Sequence, residues 1–173
     1  MINKFKKSSG TEISFSLKGG GGSGVGTLKM QGKKFMIANS AVSTWYDGKN
    51  MWVYNSSTRE TTVTTPQSSD LAEINPIYYL NAASKFNVKL SPASTNNNKT
   101  LILTPKTKRI GVKKVIIDVN TRTYTAVAIK VTTLSGQQIS VTISHTNMGK
   151  KFAASEFTYP KNKYPGVKLI DLR

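Results

Sequence analysis

The sequence predicts a mainly β protein, one antiparallel sheet curled around an apolar interior, and three observations carry that prediction. From Ile13 onward, short segments rich in Val, Ile, Thr, Tyr and Phe recur, with turn chemistry between them about every eight to twelve residues. Within them, apolar residues alternate with Thr, Lys and Ser, so one face of the sheet is apolar and the other wet. Only one stretch, "SSDLAEINPIYYLNAASKF", has clear helical spacing. A twisted sheet with so few helices must curl around them or bury its apolar face against itself, and either outcome leaves a concave apolar interior.

The elements follow in order. "NKFKK" places Ile2 and Phe5 three apart, as at the frayed end of a helix, and "EISFSL" then alternates Ile13, Phe15 and Leu17 as a strand. In "KGGGGSGVG", Gly19, Gly21 and Gly24 satisfy G-x-G-x-x-G, but a phosphate loop needs a helix directly after it. Here the chain continues with period-two positions, Leu28 and Met30 and then Phe35 and Ile37, so the glycine run reads as a hairpin connection. Asp47-Gly48 turns between two aromatic strands, Asn120 to Arg122 and Ser135-Gly136 turn two further hairpins, and parity assigns one face to Leu101 and Leu103, to Val115, Ile117 and Val119, to Val127, Ile129 and Val131, and to Ile139, Val141 and Ile143. In the helical stretch, Ser69 or Asp70 can cap, Glu73 stands near capping-box spacing, and Leu71, Ile74, Ile77, Tyr78 and Leu80 share roughly one face; Pro76 divides it into two short pieces.

The 173 residues fit one domain, residues 1–173, with room for a substantial core. Absence of cysteine excludes disulfides, thiol nucleophiles and Cys-zinc sites. No apolar run approaches a membrane span, and "MINKFKK" lacks the apolar segment of a signal peptide, so the chain reads as cytosolic or as a trimmed export product. Twenty-five Lys and Arg against eight Asp and Glu, a net charge of +17, imply attraction to something anionic.

Enzyme chemistry finds little material. His145, the single histidine, reads as a solvent-facing strand residue, and Asp47, Asp118 and Asp171 fall at turns or strand ends without a second acid at catalytic spacing. No metal-ligand cluster and no cofactor motif is visible. The basic residues gather at turns, chiefly Lys106, Lys108, Arg109, Lys113 and Lys114 of "PKTKRIGVKK", which are the candidates for contact with an anionic membrane surface. A nucleic-acid platform would interleave them with exposed rings such as Trp45, Tyr46, Trp52 and Tyr54; without an accompanying binding signature, those rings read as core or cavity lining and nucleic acid as no partner.

The ordered set "GTLKMQGKKFMI", "YDGKNMWVYN", "LILTPK" and "FTYPKNKYPGVKLIDLR" resembles the LolA family of periplasmic lipoprotein carriers. It corresponds to a G-x-L strand, a D-G-K-x-x-W-x-Y hairpin (Asp47, Gly48, Lys49, Trp52, Tyr54), an L-x-P-K turn (Leu103 to Lys106), and a closing F-x-Y strand ending in V-x-x-I-D-x-R (Phe157, Tyr159, Val167, Ile170, Asp171, Arg173). The resemblance covers about Ile13 to Arg173. It implies a strongly curved, incomplete antiparallel barrel, half open, with a small helical lid over a hydrophobic cavity for lipoprotein acyl chains. Two departures stand out: most of the family's first helix is missing, as though Met1 followed a removed signal peptide and part of that helix, and Gly32 and Lys33 of "QGKK" stand where the family has the Arg-Pro that latches the lid.

Parity combined with the resemblance assigns the lipid-binding residues: Leu28, Met30, Phe35, Ile37, Met51, Val53, Leu101, Leu103, Ile117 and Ile129, with Leu71, Ile74, Ile77 and Leu80 from the lid. "MWVY" is apolar throughout, so Trp52 and Tyr54 are the alternative inward pair. The expected function is a non-enzymatic, monomeric periplasmic carrier that takes acylated lipoproteins from an inner-membrane release complex to an outer-membrane acceptor. Two alternatives remain: a sensor domain of the same fold for stray lipoprotein or glycolipid, and a basic nucleic-acid-binding β module.

Overall fold

The structure, a computed structural model, describes residues 8–20, 22–67, 70–71, 75, 79, 83–107 and 111–173. Twelve strands form one sheet: β1 (Thr11–Gly19), β2 (Gly22–Gln31), β3 (Lys34–Asn39), β4 (Val42–Tyr46), β5 (Met51–Asn55), β6 (Glu60–Thr64), β7 (Phe86–Leu90), β8 (Asn98–Pro105), β9 (Val112–Asn120), β10 (Ala126–Thr133), β11 (Gln138–Met148) and β12 (Lys168–Asp171). Their spatial order is β12-β6-β5-β4-β3-β2-β1-β11-β10-β9-β8-β7. Among the described residues β7 and β12 are therefore the sheet's edges, and the curved sheet does not close into a barrel.

Local chemistry explains the meander. β1 and β2 pair up to Gly19 opposite Gly22, so the glycine run is a hairpin connection. Gly19 there adopts φ +99°, and a Cβ on it would lie 2.0 Å from the Gln138 carbonyl oxygen, a position only glycine fills. The β4–β5 turn is held by Asp47, whose Oδ1 accepts from the backbone N–H groups of Lys49 and Asn50 at 2.8 and 2.7 Å, while Gly48 takes φ +102°. Gly32 and Lys33 turn β2 into β3, with Gln31 opposite Lys34.

Two features depart from the regular antiparallel reading. The F-x-Y segment is no strand: Ala154–Phe157 is a 3-10 turn, and the last strand begins only at Lys168 and runs parallel to β6. Phe157 is nevertheless 1% exposed, because the C-terminal segment folds back over the sheet instead of extending it. Three β-bulges, at Ser144, Val127 and Lys113, also shift parity; the one at Val127 buries Ala126 in place of Val127, which parity had assigned inward. At Lys113 the register slips between Thr132 and Thr133, so Val112 and Val115 are both buried while Lys113 and Lys114 both reach solvent.

The expected helical lid falls mostly outside the described residues, as do Ile2 and Phe5. Within it, Asp70, Leu71 and Tyr79 are helical, and the Asn75 N–H donates to the Leu71 carbonyl at 3.1 Å. Leu71, Asn75 and Tyr79 recur at a spacing of four residues, and all three are drawn toward the apolar cluster.

Candidate functional site: the concave apolar face

Cross-strand register turns the alternation of single strands into continuous apolar rows, because paired residues point to the same side. On the β7–β11 half, Leu90, Leu101, Ile117, Ile129, Val141 and Leu17 form one row, and Val88, Leu103, Val115, Val131 and Ile139 the next. On the other half, Ile13, Leu28, Ile37, Thr44 and Val53 align, and beside them Thr11, Met30, Phe35, Tyr46 and Met51. The centre of this face is dry: Ile13, Leu28, Val115 and Ile129 have no exposure at all. The Phe35 and Tyr46 rings pack at 5.4 Å.

Residues from the segment before β7 close over it. Tyr79 is 2% exposed and meets Phe86 edge-on at 5.9 Å, Leu71 packs on the same cluster, and buried Asn75 brings its Nδ2 to 3.9 Å from the Met30 sulfur. Of the residues assigned from sequence, Leu28, Phe35, Met51, Leu103, Ile117 and Ile129 are in this cluster, and Met30, Ile37, Val53, Leu71 and Leu101 pack against it. Ile74, Ile77 and Leu80 lie outside the described residues. Tyr79, Phe86 and Asn75 were not among the assigned residues; the four-residue spacing of 71, 75 and 79 is the signal that picks out two of them, masked by a polar residue in the middle.

Trp52 and Tyr54 require a correction, because they face away from this interior. Met51 is paired with Tyr46 and Trp52 with Trp45, so Trp52 and Tyr54 stand on the convex side. There the C-terminal segment covers them: Tyr54 packs on Tyr164 at 4.5 Å, Tyr159 on Tyr164 at 5.4 Å, and Trp45 meets Tyr159 and Tyr164 at 5.5 and 5.8 Å. Lys29 ties the segment down, with Nζ 2.6 Å from the Glu156 carboxylate and 5.6 Å from the Phe152 ring centroid. The Phe152 N–H donates to Gln31 Oε1 at 3.0 Å, so Gln31 of "QGKK" holds the C-terminal segment.

The wall of the half barrel is split between β10 and β11. Their pairing stops at Ala128 and Thr142, whereas β11 continues to Met148 against β1. A depression of about 400 Å³ occupies the split, lined by Thr125, Ala126, Ile143, His145, Thr146 and Met148 among others. Ala126 and Ile143 belong to the apolar cluster, so its floor is the interior face. His145 shares the parity of Val141 and Ile143; the bulge at Ser144, whose hydroxyl donates to the Ser14 carbonyl at 3.1 Å, lets it be exposed. Burial pushes the Tyr46 phenol up, the charge of Asp47 adds to that, and its hydroxyl donates to the Gly48 carbonyl at 2.9 Å. Among the described residues, no cluster of three or more His, Asp or Glu side chains could hold a metal ion.

The basic residues assigned from sequence are Lys106, Lys113 and Lys114, all exposed, with Lys106 Nζ donating to the Ser84 carbonyl at 3.0 Å; Lys108 and Arg109 lie outside the described residues. No helix among the described residues is long and apolar enough to cross a membrane.

Fold and site together define a half-open β-barrel with an apolar interior. The model of the family described as outer membrane lipoprotein carrier protein LolA matches residues 4–137, and the chain belongs to that family. Comparison with curated proteins finds no match. Among solved structures, an uncharacterized conserved protein from Thermus thermophilus is similar at TM-score 0.64 and 7% identity, covering 98% of this chain and 94% of its own. A putative outer membrane lipoprotein-sorting protein domain from Vibrio parahaemolyticus is similar at TM-score 0.50 and 10% identity, with 94% of each chain covered. A DUF1329 family protein from Desulfovibrio piger is similar at TM-score 0.51 and 13% identity, with 92% of this chain and 94% of its own covered.

Proposed function

We propose that the protein, acting as one domain over residues 1–173, is a non-enzymatic periplasmic carrier that shields the acyl chains of lipoproteins on its concave face. The observation that carries this reading is the continuity of the apolar rows from β7 to β5, a surface far larger than any one strand needs for packing. Burying a methylene stabilises by about 0.8 kcal/mol, so a chain of roughly a dozen gains on the order of 10 kcal/mol. Because the sheet is open at β7 and β12, it can widen to admit such a chain without breaking a closed ladder. Met30, Met51 and Met148 supply adaptable side chains on or against this face. Family membership supports the same assignment and points to a release complex on the inner membrane and an acceptor on the outer membrane as partners of a monomeric carrier.

Purification without detergent followed by native mass spectrometry should show a copurifying lipid, and a fluorescent fatty acid should bind the delipidated protein. Phe35→Glu and Ile37→Glu, each placing a carboxylate on the concave face, should abolish that binding in protein whose circular dichroism is unchanged. Undiminished binding in both variants would remove the site from this face.

A further inference from the structure

The convex side of the sheet is built differently in its two halves. Over β3 to β6 it is covered by Phe157, Tyr159 and Tyr164 and flanked by β12. Over β1 and β7–β11 it carries a row that the sequence does not show, because six strands contribute one residue each. Pairing aligns Lys18, Ser140, Lys130, Ile116, Ile102 and Lys89 across neighbouring strands. At about 4.8 Å per strand the row spans roughly 24 Å. Its three lysines are exposed, and its two isoleucines are half-buried between Lys130 and Lys89. The Lys113 bulge adds Lys113 and Lys114 at the same strand, one row away.

Charge is unbalanced on this half. Residues 83–133 contain ten Lys and Arg and a single acid, Asp118, a surplus of nine out of the chain's 17. Asp118 is occupied by the Thr100 hydroxyl at 2.6 Å. The ion pairs Lys29–Glu156, Lys150–Glu12, Lys168–Glu60 and Arg173–Asp171 do not engage Lys18, Lys89 or Lys130. Clustered lysines around short branched apolar side chains suit a layer of lipid phosphates with acyl chains just beneath. A single-stranded nucleic acid would want rings to stack on, and the row holds none.

We propose that this convex face, centred on Lys18, Lys130 and Lys89 with Ile102 and Ile116 between them, docks the protein on the surface of an anionic phospholipid bilayer. It rests on the carrier reading only in that a carrier has to reach membranes; the opposite, concave face would then remain clear for cargo.

The test uses cosedimentation with phosphatidylcholine vesicles, with and without phosphatidylglycerol. The full chain should bind the anionic vesicles alone, more weakly as salt rises. Lys18→Glu/Lys89→Glu/Lys130→Glu should lower that binding by at least about tenfold. Lys33→Glu/Lys49→Glu/Lys161→Glu, which gives the same net charge through exposed lysines elsewhere, should lower it by no more than about threefold. A set of Lys→Gln replacements at positions 18, 89 and 130 guards against misfolding and should show a loss in the same direction. Equal losses in the two triple Glu variants, or equal binding of the unaltered chain to neutral and anionic vesicles, would overturn the proposal. So would an oligonucleotide that binds through the three lysines more tightly than the vesicles do. Fluorescent fatty acid uptake, measured in parallel, separates the two readings: it should be unchanged in the face variant, and its absence in the unaltered chain would count against the carrier function while leaving the bilayer face standing.

Discussion

The ring of Phe15 lies over the Cα of Gly26 across the β1–β2 pair, so closely that a Cβ at Gly26 would sit 2.7 Å from Phe15 Cζ and 2.5 Å from the Ala38 carbonyl oxygen. The glycine tract therefore combines two jobs. Gly19 serves the turn, whereas Gly26 makes room for a ring in the apolar cluster. Gly24, opposite Leu17, has open space around it. Gly26→Ala should destabilise by about 1–3 kcal/mol in urea unfolding, through displacement of the ring and the neighbouring backbone. Gly24→Ala should change stability by less than about 1 kcal/mol, since it adds a side chain where nothing resists and reduces the freedom of the unfolded chain. Equal effects would show that glycine acts here through chain entropy and not through the contact with Phe15.

Thr61 offers a test on the convex side. It is fully buried, and its hydroxyl finds no hydrogen-bond partner among the described residues. A desolvated hydroxyl without a partner is unfavourable, and valine has nearly the same shape. Thr61→Val should raise stability by about 1 kcal/mol, read as a shift of the urea midpoint with the slope unchanged. Loss of stability would mean that the hydroxyl is satisfied and the packing around it depends on that bond.

How much of this architecture was legible depended on contrast within each strand. "ISVTIS" alternates cleanly and Asp118 sets the parity of "VIIDV", so the inward positions Val141 and Ile117 followed. "MWVY" has no polar partner in the alternation, and its orientation is decided by Tyr164, more than a hundred residues away, which claims Tyr54 for the convex side. Bulges are invisible to a period-two reading: the one at Lys113 lets two consecutive lysines face solvent, and the one at Ser144 reverses His145 relative to Ile143. The parallel β12–β6 pairing and the Lys18–Lys130–Lys89 row are long-range products of register, which no local pattern encodes.

The C-terminal strand predicts a pH effect of definite sign. Arg173 donates to both carboxylate oxygens of Asp171, and these bonds, helped by the Arg173 backbone N–H, hold the carboxyl at about 2, below its ordinary 3.8. A carboxyl depressed in the fold favours folding at pH values above its unfolded pKa, and that contribution is lost as pH falls through about 2. Both side chains are solvent-exposed, so the effect on global stability is small. An NMR titration of the Asp171 carboxyl should show a midpoint near 2. In Arg173→Gln it should move most of the way back to the ordinary value, the backbone bond alone remaining. An ordinary midpoint in the unaltered chain would mean that the pair does not persist in solution.

Tyr79 is the most informative position for the carrier function. Its ring is buried against Phe86 within the apolar cluster on the concave face, where an acyl chain is proposed to lie. Ring and ligand then compete for the same surface: binding has to displace the ring, and the free energy of its burial is subtracted from the affinity. Tyr79→Ala should therefore have opposite effects on two measurements. Without ligand, stability should fall by about 3–5 kcal/mol, as expected when a large buried ring is truncated. With a fluorescent fatty acid, affinity should rise, because the competing group has gone. Tyr79→Leu, which keeps a smaller apolar group, should fall between on both scales and serves if the alanine variant does not fold. A drop in affinity that parallels the drop in stability would show that Tyr79 belongs to the permanent core, and the acyl site would then have to be sought elsewhere, beginning with the split between β10 and β11.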